Sequence, residues 1–174
     1  MATHIALLRA VNVGGTGKLP MAELKAMCVT AGFENVQTYI ASGNVILDSE
    51  HDRATVKSTL ETDLEAYAGK PVGIFVLSPE AMDEIRDANP FPEAPGNRVM
   101  VTFMGGPVSA ETLDGVKNQA SEDIRLGSSV LYTYYPDGMR QSKLIIPAAK
   151  TGTARNMNTV TKLAEMAAAR HINN

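Results

Sequence analysis

The segment Arg9-Ala10-Val11-Asn12-Val13-Gly14-Gly15-Thr16-Gly17-Lys18 carries the most chemically suggestive spacing in this chain. Glycine tolerates positive φ, so Gly14, Gly15 and Gly17 allow successive N–H groups to converge on one point. A helix starting just beyond Lys18 would add the positive end of its dipole to the charges of Arg9 and Lys18, which is the arrangement that holds phosphates and carboxylates. Known nucleotide loops are not matched. A Walker A loop needs Gly where Asn12 stands and Ser or Thr where Leu19 stands, and the dinucleotide fingerprint needs Gly where Pro20 stands. The alternative is a conformationally demanding turn with Arg9 in a structural ion pair.

Two further segments combine hydroxyls, amides and glycine. In Thr38-Tyr39-Ile40-Ala41-Ser42-Gly43-Asn44, Ser42 and Asn44 are placed to present polar side chains at a hairpin tip, although Ser, Gly and Asn also serve such turns for backbone reasons alone. Lys150-Thr151-Gly152-Thr153-Ala154-Arg155-Asn156-Met157-Asn158-Thr159 reads as a loop leading into a helix. There Asn156 or Asn158 suits a helix cap, and Arg155 beside free helix N–H groups suits a carboxylate or phosphate.

Familiar catalytic signatures are missing. The sequence holds no Gly-x-Ser-x-Gly elbow and no His-Glu-x-x-His, and His4, His51 and His171 are far apart, so neither a metal nor a cofactor is expected. Cys28 falls on the apolar face of a helix, the position of an inert buried thiol. Met21, Met27, Met82, Met100, Met104 and Met166 read as core filling. Tyr132, Tyr134 and Tyr135 suggest an aromatic platform of the kind plait-fold RNA binders use, but motifs of that type are absent and the net charge of −3 attracts no polyanion.

The elements that must position these residues follow from periodicity. At 174 residues and 44% hydrophobic, the chain suffices for one domain or two small ones. The short apolar run His4 to Arg9 reads as a strand, and Pro20 to Cys28 as a helix closed by Gly32. Val36 to Ile40 and Val45 to Leu47 read as an antiparallel hairpin. Asp52 caps a second helix through Val56, Leu60, Leu64 and Tyr67 to Gly69, and Val72 to Leu77 makes a fourth strand. This β-α-β-β-α-β order is the ferredoxin-like split βαβ, with two helices on one face of an antiparallel sheet.

A helix from Ser78 to Ala88 and a Pro-rich stretch from Asn89 to Gly96 then separate a second lobe. Its expected elements are a strand at Arg98 to Met104, a helix at Ala110 to Asn118, a hairpin of Asp123 to Leu126 with Val130 to Tyr134, and a final helix at Thr159 to Ala169. The expected organisation is an α+β fold of two ferredoxin-like lobes, residues 1–78 and 98–174, joined by a linker at 79–97. The second lobe is expected to be incomplete, lacking a clear last strand. A lone cysteine, no signal-peptide pattern and no apolar run approaching the ~20 residues of a membrane span point to the cytoplasm and away from a membrane.

Leu7 to Gly15, Thr38 to Asn44 and Gly152 to Thr159, together with Asn89-Pro90-Phe91-Pro92 and Ser142-Lys143-Leu144, resemble domain-of-unknown-function family 1697 (DUF1697) over essentially the whole chain. Ala10 departs from the family's usual Gly, and Met157 from a common aromatic. The resemblance implies ferredoxin-like α+β pieces and no established activity. It also implies that Arg9, Asn12, Lys18, Ser42, Asn44, Thr153, Arg155, Asn156 and Thr159 occupy polar motif positions. With Gly14 and Gly15, these form the expected ligand-binding set, meeting in a cleft between the lobes around a small phosphate- or carboxylate-bearing molecule. Nucleic acid is the less favoured partner, and a purely structural role for the motifs is the third reading. The residues specify neither a reaction nor an oligomeric state.

Overall fold

The computed structural model of the chain describes residues 1–11 and 18–172. Two compact units divide it: Met1–Met82 with Leu163–Asn174, and Asp83–Lys162. The first unit runs β1 (Ala2–Leu8), α1 (Met21–Thr30), β2 (Glu34–Tyr39), β3 (Asn44–Ser49), α2 (Arg53–Ala68) and β4 (Ile74–Leu77). Its sheet has the order β2-β3-β1-β4 with every neighbour antiparallel, the ferredoxin-like arrangement expected from the element order.

Local chemistry sets the ends of these elements. The Asp52 carboxylate accepts the Thr55 N–H at 2.8 Å to open α2, and Gly69 closes it in a left-handed conformation. Leu24 and Cys28 of α1 and Val56, Leu60 and Leu64 of α2 pack with Ala6, Leu8, Val45 and Leu47 of the sheet into one core. Burial of the alternate residues Ile5, Leu7 and Ile46 shows that the opposite face of β1 and β3 is covered as well. On that face Asp48 accepts hydrogen bonds from Thr3 Oγ1 at 2.7 Å, Asn35 Nδ2 at 2.8 Å and Arg170 Nη1 at 2.9 Å. Strands buried on both sides read as continuous apolar runs rather than alternating ones, which is the pattern of Ile5 to Leu8.

After α3 (Pro79–Asp87), the second unit contains β5 (Val99–Phe103), β6 (Asp123–Leu126), β7 (Val130–Tyr134), β8 (Thr153–Asn156) and the first turns of α4 (Met157–Ile172). Its order, β6-β7-β5-β8, repeats that of the first sheet. The last strand, expected to be missing, is present. Met100, Val101, Thr102 and Phe103 of β5 pair antiparallel with Asn156, Arg155, Ala154 and Thr153, so a segment read as a loop from its hydroxyl and Gly content is an edge strand.

The expected helix at Ala110 to Asn118 is not formed. A 3-10 turn covers Ala110–Leu113, after which Asp114 is extended and Gly115 and Asn118 take positive φ. Lys117 then exchanges backbone hydrogen bonds with Ile145 at 3.0 and 2.9 Å, a competing pairing that the local sequence does not announce. The incompleteness of the second lobe thus lies in its intervening helix and not in its sheet. Among the described residues no helix is long and apolar enough to cross a membrane.

Candidate anion-binding site

The end of β1 is held on both sides. Leu8 donates its N–H to the Gly43 carbonyl at 2.9 Å and Arg9 donates to the Gly73 carbonyl at 2.8 Å. Beyond them Ala10 adopts φ 56°, a left-handed conformation that costs a residue with a Cβ about 1 kcal/mol or more. Asn12, Gly14 and Gly15 lie outside the described residues. The chain continues with exposed Lys18, buried Leu19 and then Pro20, whose carbonyl accepts the first helical N–H groups of α1.

A cavity of about 370 Å³ opens beside this segment, within the size range of small-molecule sites. Arg9, Lys18 and Lys70 line it, and none of its described lining residues is acidic. Its apolar surface comes from Val11, Leu19, Leu64 and Val72, with the half-exposed ring of Tyr67 also contributing. Gly73 lies against the Arg9 stem, where an added Cβ would come within 3.3 Å of the Arg9 Cβ and Cδ atoms and push them by a few tenths of an ångström. The cavity therefore combines cationic groups with a wall continuous with the core.

Lys70 is not named by the sequence reading, and Tyr67 enters it only as part of the apolar face of α2. A signal for them existed in the strand order. Because β4 lies antiparallel beside β1, with Leu8 opposite Ile74, the residues just before β4 must lie next to those just after β1. Lys70 to Gly73 is thereby brought to Arg9 and Val11 by topology alone.

The hairpin tip is organised differently. Asn44 is fully buried, and its Nδ2 donates to the Tyr39 carbonyl and to Ser42 Oγ, both at 2.9 Å. Ser42 and Asn44 are thus brought together, in a contact that closes the turn between β2 and β3. Gly43 has φ 90°, and a Cβ there would lie 2.7 Å from Val11 Cγ2. The tip accordingly supports the chain that leaves β1.

In the second unit Arg155 is 5% exposed, and burial brings its guanidinium down to about 10, still protonated at neutral pH. Its Nη1 donates to Thr153 Oγ1 at 2.7 Å and to the Ala154 carbonyl at 3.0 Å. Asn156 Oδ1 accepts the Thr159 N–H at 2.9 Å and so caps α4, one of the two capping options open from sequence. Thr153 with Arg155, and Asn156 with Thr159, form two local pairs on β8 and the start of α4.

Tyr132 and Tyr134 form no open aromatic platform, the reading that the sequence motifs and charge already spoke against. Tyr132 is 2% exposed and donates its hydroxyl proton to the Ile85 carbonyl at 2.7 Å, so it is a core residue. Tyr134 packs against Phe91 with ring centroids 5.4 Å apart. Cys28 is fully buried, and desolvation, with a smaller contribution from Asp63, pushes its thiol up to about 12, which leaves no thiolate nucleophile at neutral pH.

Known proteins share the fold. The chain is similar in fold to a conserved bacterial protein from Streptococcus pneumoniae, with a TM-score of 0.76 and 23% identity over 95% of this chain and 98% of the other. No curated protein matches the sequence. The family model of DUF1697, described as a protein of unknown function, matches residues 1–132.

Proposed function

Since the chain belongs to the DUF1697 family, whose function is unknown, we propose from its own geometry that it binds a small phosphate- or carboxylate-bearing molecule at the end of β1. The observation that carries this reading is the convergence of Arg9, Lys18 and Lys70 on one cavity whose described lining holds no carboxylate. A bound phosphate or carboxylate accepts charge-assisted hydrogen bonds from such side chains, which are stronger than those between neutral groups. Asn12, Gly14 and Gly15 join the proposed set through their position between Val11 and Lys18. Thr153, Arg155, Asn156 and Thr159 enter it as a second candidate anion contact, to be tested separately.

A structural role is the competing reading for Ser42 and Asn44, because their polar groups are engaged with each other and with Tyr39. Thermal unfolding against a panel of phosphate, sugar phosphates, nucleotides, carboxylates and short oligonucleotides tests the proposal. A ligand at ~100 times its dissociation constant stabilises the fold by about 2.7 kcal/mol. The expected result is a shift with small anions that Lys18→Gln and Lys70→Gln both reduce. A panel without effect, or a shift unchanged in both variants, sinks the proposal. Arg155→Ala separates the second contact: lost binding at unchanged stability supports ligation, and lost stability alone supports a structural role.

A further inference from the structure

The cavity beside Arg9 is larger and less polar than a bare anion needs. At about 370 Å³ it has room for roughly a dozen non-hydrogen atoms at the ~30 Å³ that a water takes up in the liquid. Inorganic phosphate or a simple carboxylate would fill less than half of it. The remaining wall is formed by Val11, Leu19, Leu64, Pro71 and Val72, with Tyr67 on the last turns of α2. Val11, Leu19 and Leu64 belong to the hydrophobic core, so this part of the cavity is the core's own edge, and of the described residues in this wall only Tyr67 carries a hydrogen-bonding side chain.

Resting on the anion-binding reading above, we propose that the ligand of this site is an amphiphile of small size: a phosphate or carboxylate carried on an apolar body of about six to eight atoms, aromatic or short-chain aliphatic. The anionic group faces Arg9, Lys18 and Lys70. The body lies on Leu19 and Val72 beside the Tyr67 ring, which supplies aromatic surface with little rotamer entropy to lose. Burial of that body adds to affinity in proportion to the apolar area removed from water, whereas a sugar phosphate or a free nucleotide ribose would leave its hydroxyls facing aliphatic groups.

Titration calorimetry with inorganic phosphate, phenyl phosphate, hexyl phosphate and benzyl alcohol tests this directly. Phenyl or hexyl phosphate is expected to bind at least roughly tenfold more tightly than inorganic phosphate, and benzyl alcohol much more weakly than either. Tyr67→Ser and Val72→Thr are expected to weaken the organic phosphates severalfold without changing inorganic phosphate. Lys70→Gln is expected to weaken all three phosphates. Both apolar-wall variants change partly exposed side chains, and their urea midpoints report whether the fold is intact. Equal affinity for inorganic and organic phosphates overturns the amphiphile inference and leaves the anion site standing. Benzyl alcohol binding as well as phenyl phosphate, or no phosphate binding at all, overturns both.

Discussion

Gly43 illustrates how one residue without a side chain fixes the path of the candidate site. Its φ of 90° and the 2.7 Å approach of Val11 Cγ2 leave no place for a Cβ. Gly43→Ala should therefore cost about 2–4 kcal/mol through backbone strain and overpacking together, read as a lowered urea midpoint at unchanged slope. An unaltered midpoint would show that Val11 can move aside at little cost. Neighbouring Ile40, a β-branched residue at φ 50°, places a second strained position in the same turn. At this scale the sequence was informative about residue type and silent about partner. Ser42, Asn44, Arg155 and Asn156 are all identifiable as unusual polar residues, but that Asn44 bonds Ser42, and that Asn156 and not Asn158 caps α4, depends on rotamers and register. A lysine after a helix-ending glycine reads as an ordinary solvated charge, and only its place beside β1 gives Lys70 a role.

Among the elements, β8 and the 110–118 segment mark where local pattern and tertiary context part. Thr153 to Asn156 reads Thr-Ala-Arg-Asn, with one hydroxyl, one charge and little apolar content, so nothing in it signals a strand. It becomes one because the edge of β5 offers unpaired backbone groups. The Ala110 to Asn118 segment carries residues compatible with a helix, yet Gly115 and the Lys117–Ile145 pairing divert it. Strongly patterned elements were legible: α2 begins at Arg53 after Asp52 and ends before Gly69, and the β6–β7 hairpin spans the expected residues. The short β8 and long α4 meet at Asn156, whose carboxamide oxygen occupies the Thr159 N–H. Asn156→Ala should lower stability by about 1 kcal/mol, whereas Asn156→Asp should retain most of it because a carboxylate accepts the same bond and favours the positive helix end. Equal losses in both variants would assign Asn156 a role other than capping.

On the scale of the whole molecule, buried ionisable groups of the first unit set a pH dependence. Burial pushes the His4 imidazole below its ordinary 6.5, and Arg53 acts in the same direction, while the His51 backbone, Asp48 and Asp52 oppose them. The unfolded chain then binds the proton more readily than the folded one, so stability falls as the pH drops below about 6.5 and levels off below the folded value. Urea midpoints between pH 7.5 and 5 should show that loss in the parent chain and a smaller slope in His4→Leu; identical slopes would remove His4 as its source. For Asp48, burial by itself would raise the carboxyl, but hydrogen bonds from Asn35, Thr3 and Arg170 and the Arg170 charge hold it below its usual range, adding a second loss of stability at still more acid pH.

The bond between Asp48 and Arg170 also spans 122 positions of sequence, and Arg170 donates further to the Asn35 and Ile46 carbonyls and to Gln37. A chain made from its N-terminus onward thus exposes Asp48 and the carbonyls around it long before their guanidinium partner exists. The stretch Asp83–Lys162, being continuous, has a shorter wait, the longest in its sheet being that of Met100 for Asn156. In vectorial synthesis the segment made first is consequently the one whose polar contacts are completed last, and a nascent chain halted before residue 170 should leave the strand around Asp48 the more open to proteolysis.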